Sequence, residues 1–252
     1  MTVSQDRGRV RVEQGAKRVR VMLGGEVIAD TRRVKLVWEV PYYPTYYFPE
    51  QDVRADVLVQ TGTTEHSPSR GDAEVHTVKV GGREATSAAL WYRHSPIGEL
   101  RGTIRLLWEA MDAWFEEDEE VYVHPRDPYS RVDILQSSRH VRVEVDGVTV
   151  ADSHQPRVLF ETGLPPRYYL PKTNVRMDLL TPTEHHTACP YKGTASYYSL
   201  RVNGTTHDNL VWWYQHPTLE SVKIAGYVCF YNEKVDLYID GELQARPRTH
   251  FS

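Results

Sequence analysis

Cysteine is nearly missing from this chain. Its 252 residues include two, Cys189 and Cys229. Two thiols are too few for a disulfide framework or a four-cysteine zinc site. Long apolar runs are missing as well, and nothing approaches the ~20 residues that a membrane span needs. The opening MTVSQDRGRVRVEQGAKRVRV has neither the apolar stretch nor the small-residue site of a signal peptide. These absences set the expectation of a cytoplasmic protein in a reducing compartment. The net charge is −4, so no overall positive field invites nucleic acid. No glycine-rich phosphate loop occurs: Gly24-Gly25 and Gly81-Gly82 lie between strand patterns with no helix after them. His185, His186, His207 and His216 fit no standard ligand spacing, so no metal and no cofactor are expected. Phenylalanine is scarce, at five against sixteen tyrosines and six tryptophans. Tyr and Trp carry a polar tip, which suits the walls of a partly wet pocket, and equally suits amphipathic strands.

What is present is a repeat. VRVMLGGEVIADT (19–31) matches VRVEVDGVTVADS (141–153), and YYFPEQDVRADVL (46–58) matches YYLPKTNVRMDLL (168–180). VKVGG (78–82) matches LRVNG (200–204), and ALWYRH (89–94) matches VWWYQH (211–216). Every pair sits 122 positions apart, as Cys189 does from Ser67. One register held over that length is a tandem duplication. After residue 94 the register breaks, and AWFEEDEEVYV (113–123) is expected to match CFYNEKVDLYI (229–239).

Each copy reads as strands. VRVEVDGVTVAD alternates around Asp146-Gly147, a tight hairpin signal, and Asn203-Gly204 is another. Two further strands are expected around Asn232-Glu233. IRLLWEAMDAWF (104–115) is ambiguous and reads as strand to about Trp108, then a turn or short helix. The expected fold is all-β: two tandem homologous small β domains of antiparallel sheets, packed as a pseudo-dimer, since duplicated units keep a self-complementary surface. The expected limits are a loose tail over 1–16, a first repeat over 17–123, a connector over 124–138 and a second repeat over 139–252.

Candidate chemistry gathers in the second repeat, in FETGLPPRYYLP (160–171), CPYKGTASYY (189–198) and VWWYQHP (211–217). Glu161, Arg167, Tyr168, Tyr169, Tyr191, Lys192, Trp213, Tyr214 and His216 mix polar groups with aromatics, the composition of an orienting small-molecule site. The same residues also fit a rigid turn and ordinary core. Glu161 and Lys192 would be charged anchors, and Arg167 would favour an anionic group on the ligand. Lys192, three residues after Cys189, would help to ionise that thiol, making Cys189 a candidate nucleophile and Glu161 a candidate acid or base. Cys229, in YVCFY, reads as core. The first repeat has Ser67 for Cys189, Arg70 for Lys192 and Thr45 for Arg167, but keeps Glu39, Tyr46, Tyr47 and His94.

Several strings resemble domain-of-unknown-function family 427: PPRYYLP, DVRADVL with NVRMDLL, CPYKGTASYY, IAGYVCFYNEKVDLYIDG and WFEEDEEVYVHPRDPY. The resemblance covers nearly everything after about residue 17, and CPYKG is its most specific part. It implies a small β-tent-like fold, two antiparallel sheets over a pocket, here in two copies. One family label suggests a nucleotidyltransferase, although no Gly-Ser pair followed by paired aspartates is present. The reading that results is binding, with or without turnover, of a small molecule in an aromatic pocket of the second repeat, an anionic one being favoured by Arg167, with no nucleic acid and no membrane as partner. The rivals are a non-catalytic protein-interaction module and a nucleotidyltransferase-like enzyme.

Overall fold

The computed structural model describes residues 10–249 together with 251–252. The chain divides into two compact units at Asp127/Pro128. Both are built from antiparallel strands with short 3-10 turns. Among the described residues no helix is long and apolar enough to cross a membrane.

The first unit runs β1 (Arg11–Gln14), β2 (Val19–Leu23), β3 (Glu26–Thr31), β4 (Lys35–Trp38), β5 (Thr45–Pro49), β6 (Leu58–Ser67), β7 (Gly71–Val80), β8 (Arg83–Tyr92), β9 (Thr103–Leu106), β10 (Ala113–Glu116) and β11 (Glu119–Glu120). A larger sheet has the order β1-β4-β5-β9-β8-β7-β6, and a smaller one has β11-β10-β2-β3. Strand periodicity explains the core. In β2, Val19, Val21 and Leu23 are buried while Arg20 and Met22 between them are half-exposed. They meet Tyr46, Phe48, Ile104 and Trp114 in one cluster. Each such side chain contributes roughly 1.5–3 kcal/mol when buried. Tyr47, between Tyr46 and Phe48, points to the opposite face of β5. There it joins Val37, Leu90, Tyr92 and Leu100 in a second, smaller core.

The second unit repeats this plan with β12 (Val132–Gln136), β13 (Val141–Val145), β14 (Val148–Ser153), β15 (Arg157–Glu161), β16 (Arg167–Leu170), β17 (Leu180–Cys189), β18 (Gly193–Val202), β19 (Thr205–Tyr214), β20 (Val228–Phe230), β21 (Asp236–Ile239) and β22 (Glu242–Leu243). Its sheets have the orders β12-β15-β16-β20-β19-β18-β17 and β14-β13-β21-β22. Strand for strand, these are the orders of the first unit.

The expected hairpins form, with φ of 49° and 76° at Asp146 and Gly147, and 49° and 82° at Asn203 and Gly204. In the first unit the matching turns touch: a Cβ on Gly81 would lie 2.4 Å from the Gly24 carbonyl oxygen. The second unit replaces that bare contact with polar side chains. Asn203 Nδ2 donates to the Asp146 carbonyl at 3.3 Å, and His207 Nε2 lies 2.7 Å from Asp146 Oδ2.

Three expectations shift. Residues 11–14, assigned to the loose tail, are β1 at the edge of the larger sheet; residues 1–9 lie outside the described residues. Residues 132–136, assigned to the connector, are β12, the corresponding edge strand. The strands around Asn232-Glu233 exist but do not form a hairpin, because β20 pairs with β16 and β19 while β21 pairs with β13 in the smaller sheet. The register therefore resumes differently from the expected match. Ile104 and Val228 hold equivalent places, 124 apart, opposite Phe48 and Leu170. Trp114 and Leu237 do so 123 apart, opposite Val21 and Val143.

Candidate functional site

The CPYKG string is the tip of a long hairpin. Cys189 ends β17 and pairs with Gly193 at the start of β18, so Pro190, Tyr191 and Lys192 are the loop. Proline presets the turn, and Gly193 supplies a φ of +93° that other residues adopt at a cost. The tip is clamped from behind. The Tyr191 carbonyl accepts from Thr218 Oγ1 at 2.5 Å and from Ser221 Oγ at 3.0 Å. The conspicuous sequence is thus first of all turn chemistry.

The charged anchors are brought together and satisfy one another. Lys192 Nζ donates to Glu161 Oε2, each side chain 11% exposed. Arg167 gives Nη1 and Nη2 to the two carboxylate oxygens of Glu233, both at 2.7 Å, with side chains 5% and 0% exposed. Its guanidinium is committed inside the protein, which removes the basis for assigning it an anionic ligand.

The aromatic walls divide between two faces. Tyr169 and Tyr214 lie with Cys229, Tyr197 and Trp212 on one side of the larger sheet. Tyr168 and Trp213 pack against the core on the other side. Consecutive strand residues cannot share a wall. Tyr169 is fully buried, and its phenol, raised well above the usual range by burial, accepts from Trp212 Nε1 at 3.0 Å. Tyr191 is buried at the hairpin tip, and His216 is exposed.

Cys189 is a half-buried free thiol. His185 stands four strand residues away, roughly 13 Å along the chain, too far for a Cys–His pair. Its ring instead packs on Tyr197 at 4.5 Å. Cys229 is buried and free, and burial pushes its thiol up to about 12.

The first unit holds an open aromatic cavity of about 370 Å³, within the usual range for small-molecule sites. It opens where β4, β5 and β9 end. Its rings are Tyr43, Tyr46, Trp108, Trp114 and His124. Trp108 stacks on Trp114 at 4.5 Å, and Tyr43 stacks on His124 at 3.9 Å. Burial holds His124 below the ordinary imidazole range, and its Nδ1 lies 2.7 Å from the Pro125 carbonyl oxygen. The polar lining is Glu39, Thr45, Arg105 and Glu109.

Glu39 is held from three sides. Arg105 Nε donates to Oε1 at 2.9 Å, Tyr47 Oη to the same oxygen at 2.8 Å, and Arg70 Nη1 lies 2.7 Å from Oε2. Burial and the nearby Glu39 charge raise the Tyr47 phenol, so it remains a donor. Among the described residues, the terminal nitrogens of Arg105 and the carboxylate of Glu109 make no hydrogen bond or ion pair. An aromatic enclosure with uncommitted polar groups of both signs can hold and orient a flat polar molecule.

A more open cavity of about 400 Å³ lies on β6–β8. Its charged groups are already paired: His66 with Asp72 at 2.6 Å, and Arg93 with Glu74 at 3.1 Å.

A family model described as Domain of unknown function (DUF427) matches residues 11–117 and residues 133–241. The chain belongs to this family. It carries the DUF427 unit twice, and each match begins at or beside the edge strand, β1 or β12, that pattern reading left outside the repeats. No curated protein sequence matches the chain.

With the two DUF427 copies in register, the cavity has a counterpart. Thr45 stands where Arg167 stands, Arg105 where Cys229 stands, and Glu109 where Glu233 stands. The first copy keeps its arginine on β9 and turns it to Glu39. The second keeps it on β16 and turns it to Glu233. Sequence reading missed Arg105, Trp108, Glu109 and Trp114, because they follow residue 94, where the ungapped register ends. The available signal was the Trp and Tyr density of YYPTYY and LLWEAMDAW.

Proposed function

We propose that this DUF427 protein binds a small planar molecule in the aromatic cavity of its first copy. The observation that carries the reading is the combination at that cavity. Stacked rings line about 370 Å³, and Arg105, held through Nε by Glu39, and Glu109 also line it, with the terminal nitrogens of Arg105 and the Glu109 carboxylate uncommitted. Flat apolar walls supply affinity, and a few convergent polar groups fix orientation. Arg105 suits a carboxylate or other acid on the ligand. Glu109 suits a donor at its other end. The expected chemistry is retained, while the supporting geometry moves from the second copy to the first. Concavity favours a ligand over a flat interaction surface. A nucleotidyltransferase reading draws no support from the described residues, where no three His, Cys, Asp or Glu side chains are grouped to hold a metal ion. Two unpaired thiols suit use in a reducing compartment.

The test is ligand-observed NMR on the full chain with a panel of neutral, acidic and basic aromatic molecules. It is repeated on Thr45→Arg, which copies the second repeat's arginine into the first. The expected result is binding led by acid-bearing members and lost in Thr45→Arg. Binding that is indifferent to the substitution, or no binding at all, would overturn the reading.

A further inference from the structure

One wall of the first copy's cavity is the stacked pair Tyr43 and His124, and His124 is put there by a strained turn. Its backbone N–H donates to the Tyr122 carbonyl at 2.9 Å across Val123, whose φ is +75°. A bond between residues two apart around a positive φ is the rare, strained form of the γ-turn, and a β-branched residue is an outlier there. Val123 is 38% exposed, so burial of its own side chain does not account for the conformation. The turn is imposed from both sides. Val121 N donates to the Trp114 carbonyl at 2.8 Å, and Trp38 Nε1 to Asp127 Oδ2 at 2.8 Å. Strain over-determined in this way gathers where ligands are held.

The turn also fixes the chemistry of the ring. His124 lies on Tyr43 at 3.9 Å and 13° from parallel, so one of its faces is taken. Its Nδ1 is 2.7 Å from the Pro125 carbonyl oxygen, which can only accept. Burial holds the imidazole below its ordinary range, so near neutral pH the ring is uncharged. Its one proton is then on Nδ1. Nε2 is left as a bare acceptor, and among the described residues it makes no hydrogen bond or ion pair. The pair is particular to the first copy. Tyr43 corresponds to Pro165, 122 positions on. The bonds from Val121 N to the Trp114 carbonyl and from Gln244 N to the Leu237 carbonyl, both 2.8 Å, carry the spacing of 123 onwards. Three residues later Pro247 takes the place of His124. Both stacked rings give way to proline together.

We propose that His124 is the specificity-determining residue of this cavity, its Nε2 accepting a hydrogen bond from the ligand. The cavity then takes planar aromatic acids that carry a ring N–H or a phenol O–H, and rejects their methylated counterparts. This inference rests on the cavity reading above and narrows it. Arg105 takes the acid. The donor meets an acceptor that the protein leaves unpaired, whereas a methyl group in its place shields that acceptor from water and gives it no bond. Glu109 is the rival acceptor, and the variants separate the two.

The experiment measures the affinity of the full chain for indoleacetate and for N-methylindoleacetate, which differ at the ring N–H. The parent is expected to bind the first about tenfold more tightly or better. His124→Phe keeps a flat ring over Tyr43 and removes the acceptor, so it should bind the two alike. Glu109→Ala should keep the preference. A second readout needs no ligand. Nitrogen NMR of the free protein should show a protonated Nδ1 and a bare Nε2 for His124, the signals being assigned by their loss in His124→Phe. An Nε2–H tautomer, equal or absent binding of the two indoles by the parent, or a preference that survives in His124→Phe would overturn the proposal. The cavity reading itself stands or falls on the wider aromatic panel and on Thr45→Arg, so the two failures are told apart.

Discussion

Arg167 shows how one residue type changes meaning with its neighbours. In PPRYYLP it reads as an anion receptor, because arginine beside tyrosines commonly is one. In the fold its two nitrogens end on Glu233. Nothing in the local sequence announces a partner 66 residues away. Removing the arginine leaves a buried carboxylate alone, so Arg167→Met is expected to lose about 3–5 kcal/mol, read as a drop in the urea midpoint. An unchanged midpoint would contradict the pairing. The pH dependence has a definite sign. Burial alone would raise the Glu233 carboxyl, but Arg167 and the Thr249 hydroxyl more than offset it and hold it below the usual range. Its contribution is present above the unfolded value near ~4.3 and lost as the pH falls through the lower folded value. In Arg167→Met only the Thr249 and backbone hydrogen bonds are left to oppose burial, so the stability gap to the parent should narrow as the pH falls through the carboxylate range. A gap independent of pH would count against it.

The thiols separate in the same way. Cys229 reads as core from YVCFY and is core, whereas the setting of Cys189 depends on where Lys192 turns, which spacing cannot give. Lys192 turns to Glu161. Iodoacetamide should label Cys189 in the folded protein and Cys229 only after unfolding; native labelling of Cys229 would contradict its burial. Because burial raises Cys229 to about 12, its contribution to stability is complete below the ordinary thiol range near ~8.5 and declines as the pH rises above it.

At the scale of elements, tight hairpins were the most readable part of the chain. Asp146-Gly147 and Asn203-Gly204 carry their backbone angles in their residue types. The Asn232-Glu233 turn was misread because a β-β junction looks the same in sequence whether the strands pair or pass to different sheets. The edge strands β1 and β12 were missed because RVEQ and VDILQ show weak alternation, and their pairing comes from β4 and β15 far along the chain. The CPYKG tip gives a direct test of turn chemistry. Gly193→Ala would place a Cβ 3.2 Å from the His216 carbonyl oxygen at a φ of +93°. It is expected to cost about 1–2 kcal/mol in the urea midpoint. No loss would mean that the conformation of the tip is not set by the glycine.

At the scale of the whole molecule, duplication was legible and its consequence was not. An ungapped match over residues 19–94 establishes two copies, but the residues that distinguish their sites lie largely beyond it. Arg105 and Glu109 can be set against Cys229 and Glu233 only once strand pairing restores the register. The copies then appear as two versions of one design. One leaves an aromatic space open beside an arginine. The other sets an ion pair, Arg167 with Glu233, at the corresponding positions.

The measurement that tests this account most directly is a crystal structure of the full chain soaked with the best-binding molecule from the aromatic panel. The account predicts density in the first copy among Tyr43, Trp108 and Trp114, with the ligand's acid on the Arg105 nitrogens. Density found only outside that cavity, or a cavity closed by its own side chains with the ligand elsewhere, would contradict it.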